Sequence, residues 1–182
     1  MTTGRRPRVS IERRREQVLA AALREFSHKG FHGGSTVTIA KDVKFPHPNL
    51  FRVFSTKKGL FVAVLERTFA TIEQEMLVRG EEADNDQLWA MANGWGTLME
   101  SREVMLILLQ GYAACEDPEI RDLMHGWTQD VFERAEALPG VDADLAHDFF
   151  AAGMLYLIAA SMDLPGRAGG EPWVERFLAS GS

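Results

Sequence analysis

Apolar residues return every three or four positions through most of the chain, and no stretch alternates long enough for a strand. This pattern predicts an all-α protein of about nine helices. In the first helix Ile11, Val18, Leu19, Ala22, Leu23 and Phe26 share one face, while Arg13, Arg14, Glu16, Arg24 and Glu25 fall off it. Ser10 is its expected N-cap, Glu12 lies in its first turn, and Gly30 is its expected stop. A short second helix from Ser35 or Thr36 to Val43 buries Ile39, Ala40 and Val43. Then come Phe45, Pro46, His47 and Pro48. A residue before proline is pushed out of the α region, so Phe45 and His47 are expected to be extended. Pro48 is expected to open a third helix that closes near Phe54.

Thr56 can cap a fourth helix reaching Gly80, with Leu60, Phe61, Val64, Leu65, Thr68 and Ile72 inward. Beyond Asp84 the pattern gives helices near 86–100, 102–115, 117–138, 142–163 and 171–180. Acidic residues, Pro118, Pro139-Gly140 and Leu164-Pro165-Gly166 separate them.

Charge sharpens this picture. The net charge of −6 hides a division: residues 1–67 hold 14 Lys+Arg against 5 Asp+Glu, and residues 68–182 hold 6 against 21. A basic first third fits contact with a polyanion, since Lys and Arg neutralising phosphates supply most non-specific nucleic-acid affinity. A chance excess of solvated surface charge is the competing reading. Two short helices braced by a longer one are also the frame of a DNA-reading tri-helical unit, whose last short helix enters the major groove.

The residues in that frame carry a family pattern. Ala21, Ala22 and Phe26, then Gly30-Phe31, Ile39-Ala40, Leu50-Phe51, Phe54 and Thr56-Lys57 leading to Leu60 stand in fixed register. Across about residues 12–66 the sequence resembles the N-terminal domain of TetR-family transcriptional regulators. The resemblance implies a flexible basic arm at 1–9 and a helix-turn-helix DNA-binding domain at 10–56. It also implies a connecting helix at 57–80 and a ligand-binding and dimerisation domain at 81–182. The family positions matching His47, Asn49 and Arg52 contact DNA, and the one matching Lys57 holds a backbone phosphate. Asn49 can pair with adenine, and Arg52 can read guanine or bind phosphate. Thr38 and Lys44 lie on the same basic face and are added as candidate DNA contacts; ordinary solvated surface is the alternative for all six.

The sequence also departs from the family. Lys44 stands where a turn glycine is usual and so needs a positive φ, at a cost of about 1 kcal/mol. Phe51 replaces a phosphate-binding tyrosine, Val37 a frequent arginine, and Pro46 a capping serine.

Seven of the eight methionines and all four tryptophans lie after residue 75. Trp95, Met99, Met105, Leu108, Tyr112, Trp127 and Phe150 fall at helical spacings that can enclose an apolar site, with Tyr112, Gln110 or Thr97 as a polar handle. A plain packed core is the competing reading for each. Phe149, Gly153, Met154, Leu157 and Ile158 are assigned to a homodimer interface between the last long helices, where small residues allow close approach.

Other chemistry is sparse. There is no Gly-rich phosphate loop, no G-x-S-x-G elbow and no H-E-x-x-H motif. Asp144, His147 and Asp148 read as a solvated cluster rather than a metal site, Cys115 reads as an inert thiol, and no cofactor is expected. The longest charge-free run, Phe149 to Met162, is shorter than the roughly 20 residues of a bilayer span, and no apolar leader follows the N-terminal arginines. A cytoplasmic protein without membrane contact is expected. The reading is a homodimeric repressor on a palindromic double-stranded DNA operator, released by a small apolar or aromatic effector. The alternatives are a helical-bundle enzyme or ligand carrier, or an architectural DNA binder without an inducer.

Overall fold

A computed structural model describes residues 11–167 and 169–178. The proposed arm at 1–9, the Ser10 cap and the last two residues of the helix expected at 171–180 lie outside them. The described residues are helical throughout, without strands. Helix α1 (Ile11–Gly33) is broken at Gly30, whose φ of 70° and ψ of 178° leave the helical region, so the expected stop is a sharp break followed by a short turn. Helix α2 (Thr36–Asp42) begins at Ser35, whose side chain accepts the Thr38 N–H. Helix α3 (His47–Val53) follows.

Helix α4 begins as Lys57–Ile72, passes through a π-helical stretch, Glu73–Val78, and closes with the turn Arg79–Glu81. Nothing in the apolar spacing announced that stretch. Then come α5 (Gln87–Met99), α6 (Arg102–Ala113), α7 (Pro118–Glu136) and α8 (Ala143–Ser161), a 3-10 turn at Pro165–Arg167, and α9 (Pro172–Leu178).

One continuous core runs from α1 to α8. Around its N-terminal end Phe26, Ile39, Leu50, Leu60 and Phe61 are fully buried, and the rings of Phe26 and Phe61 meet edge to face at 5.1 Å. Helix α6 packs along α1, so Met105, Ile107 and Leu108 are sealed within this core. A smaller cluster of Ala159, Leu164 and Val174 docks α9 against the end of α8, and the Tyr156 hydroxyl donates to the Leu178 carbonyl.

Helix α8 is long and apolar enough to cross a membrane by length and composition, yet only 22% of its apolar window is buried within the chain. One face of α8 turns into the bundle. The other leaves Leu155, Ile158 and Met162 exposed at helical spacing, and Leu145 is exposed near the start of the helix.

Candidate nucleic-acid interface and apolar cavity

The turn between α2 and α3 is closed by local chemistry. Lys44 takes φ 50°, the left-handed conformation that the missing glycine demanded. Around it the Phe45 N–H donates to the Ala40 carbonyl at 2.9 Å and the Lys44 N–H to the Lys41 carbonyl at 3.1 Å. This pair of bonds is the Schellman arrangement that ends a helix. Arg14 of α1 braces the turn, donating to the Val43 carbonyl at 3.3 Å and lying 5.4 Å from the Phe45 ring centroid.

Helix α3 starts one residue earlier than expected. His47 occupies its first position and Pro48 its second, with Pro46 as an N-cap that offers no side-chain bond. His47 was expected to be extended. Instead its Nε2 meets Thr36 Oγ1 at 3.0 Å and its ring stands edge-on to Phe51 at 5.1 Å, contacts that tie it to the first turn. Leu50 and Phe54 are buried, Arg52 is exposed, and His47 and Asn49 are half-buried. Thr38 and Lys44 are exposed on the adjoining surface. Val37 and Phe51, the two apolar departures from the family pattern, are exposed there as well, at 59% and 39%.

Two lysines open α4 and behave differently. Thr56 caps the helix by accepting the Gly59 N–H at 2.9 Å. Lys57 donates to the His32 carbonyl at 2.8 Å and lies 5.6 Å from the Phe31 ring centroid. Two of its three N–H bonds remain for an anion. Lys58 turns to the other side and pairs with Glu119 at 2.8 Å and Asp117 at 3.3 Å. Those carboxylates raise the pKa of its ammonium above the ordinary lysine value. Asp117 also caps α7, accepting the Glu119 and Ile120 N–H groups. One ion-pair cluster therefore links the start of α4 to the start of α7.

A cavity of about 420 Å³ lies among the later helices. Met76, from the π-helical stretch, reaches it from α4. Helix α5 contributes Trp89, Asn93, Trp95 and Met99, α6 contributes Tyr112, and α7 contributes Trp127 and Val131. Helix α8 closes it with Phe149, Phe150, Gly153, Met154, Tyr156 and Leu157. Trp127 stacks on Phe69 of α4, with centroids 4.6 Å apart and planes 10° from parallel. Burial pushes the Tyr112 phenol above its ordinary pKa, and its oxygen shares a hydrogen bond with Thr128 Oγ1 at 3.3 Å. Burial raises the Cys115 thiol too, and its sulfur donates to the Gly111 carbonyl at 3.5 Å.

The structure redistributes the residues assigned from sequence. Trp95, Met99, Tyr112, Trp127 and Phe150 meet on the cavity wall. Met105 and Leu108 do not; they lie in the core beside α1, because α6 reaches the cavity only near its C-terminal end. Phe149, Gly153, Met154 and Leu157, assigned to an interface between copies, line the cavity. Only Ile158 of that set is strongly exposed, at 45%, and Leu155 and Met162 join it on the outer face. Of the suggested handles only Tyr112 is on the wall. Gln110 packs at Gly30, and Thr97 is exposed and donates to the Asn93 carbonyl. Met76 and Val131 were missed, since spacing within one helix does not say which other helix lies across from it.

Comparison with known proteins places this architecture. Residues 18–64 match the family model described as bacterial regulatory proteins, tetR family. Over 77 residues the chain is 35% identical to the HTH-type transcriptional repressor NicS of Pseudomonas putida, covering 42% of this chain and 36% of that protein. Over 66 residues it is 38% identical to the HTH-type transcriptional regulator RutR of Escherichia coli, covering 36% of this chain and 31% of that protein. The matched stretch thus spans about a third of each relative.

Fold similarity extends further. A TetR-like transcriptional regulator from Rhodococcus sp. RHA1 superposes with a TM-score of 0.71 at 22% identity, covering 94% of this chain and 92% of that one. The multidrug binding protein EbrR, complexed with malachite green, superposes with a TM-score of 0.63 at 23% identity, covering 91% and 98%. Residues 18–64 are thus similar to the DNA-binding part of the tetR family, and the described helices as a whole share the fold of TetR-like regulators.

Proposed function

We propose that the protein is a homodimeric, DNA-binding transcriptional repressor that leaves its operator when a small apolar molecule enters the cavity. Residues 10–56 serve as the DNA-binding domain, 57–80 as the connecting helix and 81–182 as the effector and dimerisation domain. Asn49 and Arg52 read base edges, and Thr38, Lys44, His47 and Lys57 position the phosphate backbone. Phe51 and Val37 have no hydrogen-bond donor for a phosphate, so affinity rests more heavily on the lysines than the family pattern implies.

One observation carries the reading: α4 touches both sites. Its first turn holds Lys57 beside α3, and its π-helical stretch puts Met76 in the cavity wall. Single π-helical turns gather at functional positions. A ligand that shifts Met76 or the Phe69–Trp127 stack moves the far end of a helix whose near end holds the phosphate. For release, the ligand must bind the non-DNA-binding arrangement more tightly, and coupling of about 1–3 kcal/mol lowers operator affinity roughly 5- to 150-fold.

The exposed stripe of Leu155, Ile158 and Met162 supports pairing of two copies through α8. A two-fold pair spaces its recognition helices by about 34–36 Å or a multiple, which calls for a palindromic site. A role in the cytoplasm as a non-enzymatic regulator is the matching assignment.

The test is a gel shift on DNA flanking the protein's own gene, with and without a panel of apolar compounds, alongside sedimentation of the wild type and Ile158→Glu. A dimer that binds DNA and releases it with at least one compound supports the reading. DNA binding indifferent to the whole panel favours the architectural alternative, and a monomer with undiminished DNA affinity removes the dimer.

A further inference from the structure

We propose that the cavity takes a neutral, flat apolar ligand bearing a hydrogen-bond acceptor, such as a ring ketone or lactone, and that the indole N–H groups of Trp95 and Trp127 recognise that acceptor. This rests on the effector reading above and names the chemical class it left open. Three observations lead to it.

First, none of the residues lining the cavity carries a formal charge at neutral pH. An ion entering such a wall leaves its hydration without meeting a counter-charge, which strongly disfavours ionic ligands.

Second, the Nε1 atoms of Trp95 and Trp127 are buried and have no hydrogen-bond partner, although both indoles line the cavity. Buried donors are almost always satisfied in native proteins, so two orphaned donors on one cavity wall are unusual. Both Nε1 atoms are covered by protein atoms. A small rotation of either indole toward an acceptor on the ligand makes the missing bond. Both groups are donors only, so they favour a carbonyl oxygen and disfavour an ammonium.

Third, the aromatic walls favour a flat partner, but one face of Trp127 is already occupied by Phe69. A cation cage needs open ring faces. The stack removes one of them, which leaves indole N–H groups rather than indole faces as the distinguishing polar feature.

The experiment compares four ligands of similar tricyclic shape on the full-length protein by titration calorimetry: 9-fluorenone, fluorene, fluorene-9-carboxylate and the cation proflavin. The expected result is that fluorenone binds about tenfold more tightly than fluorene, the scale of one buried hydrogen bond to an otherwise unpaired donor, and more tightly than either ion. Trp95→Phe and Trp127→Phe remove the donor and shrink the bicyclic indole to a single aromatic ring. They are expected to lower fluorenone affinity more than fluorene affinity, so that the roughly tenfold ratio between the two falls toward one.

Equal affinity for fluorenone and fluorene, or preference for either ion, overturns the proposal while leaving an effector cavity in place. Binding of none of the four overturns both the ligand class and the effector reading of the cavity. The gel shift without ligand separately reports whether the DNA-binding half stands. Because the wild-type comparison uses no substitution, a poorly folding tryptophan variant does not blunt the test.

Discussion

The two ends of this molecule are built from the same kind of helix but filled in opposite ways. Around α1 to α3 the apolar interior is closed, with Phe26, Ile39, Leu50 and Phe61 all within 1% of complete burial, and the groove between α1 and α2 is lined mainly by polar side chains such as Arg24, Glu25, Lys41 and Asp42. Among α5 to α8 the larger side chains surround about 420 Å³ that no side chain fills, and the outer face of α8 is apolar. The first arrangement fixes the angle of a recognition helix. The second keeps space that can be occupied or vacated, and flexible Met76, Met99 and Met154 on its wall suit a site that changes shape. Rigidity is concentrated where geometry must be read by a duplex, and looseness where a ligand must enter.

Truncating one large aromatic in each half gives the largest expected contrast. Phe26→Ala removes a fully buried ring and its edge-to-face partner, with an expected loss of about 3–5 kcal/mol and of DNA binding. Phe150→Ala enlarges a space that already exists and is expected to cost under about 2 kcal/mol, because its side chain is only partly packed. Paired denaturant melts decide this; equal losses would mean that the cavity half is as tightly packed as the other.

Gly94→Ala probes the seam between the halves. A Cβ there would lie 2.1 Å from the Glu75 carbonyl oxygen and 2.9 Å from the Met76 Cα, so α5 and the π-helical stretch must separate. The expected cost is about 1–3 kcal/mol, with changed ligand response through displaced Met76. Thermal melts and ligand-dependent gel shifts check it, and an unchanged melting temperature would contradict this close packing.

Lys57→Ala is a smaller change confined to the DNA side. It is expected to weaken binding almost equally across DNA sequences and to make the salt slope shallower by about one, whereas Asn49→Ala relaxes preference at one base position. Binding isotherms at several salt concentrations separate the two. No change in affinity or slope for Lys57→Ala would remove it from the phosphate contacts.

The smallest expected effect concerns the ion pairs that hold the end of α4 to α7. Arg134 donates to Glu81 at 2.6 Å and 2.8 Å and also pairs with Glu73 at 3.3 Å. The Arg134 guanidinium holds the Glu81 carboxyl below its ordinary pKa of 4.5. A carboxylate with a depressed folded pKa contributes stability above about 4.5 and loses it as pH falls through the folded value. Glu81 is partly exposed, so Glu81→Gln is expected to cost about 0.5 kcal/mol at neutral pH, less in high salt, and nothing in acid. Melts of both proteins across pH would expose an error if the gap widened on acidification.

The sequence read α1 to α3 well because its constraints there are local. Ser35 caps α2 through its own side chain, Lys44 closes a Schellman turn within five residues of Ala40, and Leu50 and Phe54 share a face at i and i+4. His47 was misplaced by one position, since its hydrogen bond to Thr36 joins α3 to α2. The π-helical stretch gave no signal in the apolar period, although Gly80 and Gly94 mark close approaches to Met91 and Glu75 beside it.

What the sequence by itself determined is therefore the helical class, the approximate helix ends, the register of the helix-turn-helix and the separation of basic from acidic residues along the chain. These follow from capping, turn conformation and periodicity within about ten residues of chain. Only tertiary structure decided that Met105 and Leu108 are core while Phe149, Gly153, Met154 and Leu157 enclose a cavity, and that Leu155, Ile158 and Met162 form the outer apolar stripe. A helix's period defines which residues point together, but the rotation of that helix against its neighbours depends on contacts with α1, α4 and α5, distant in sequence.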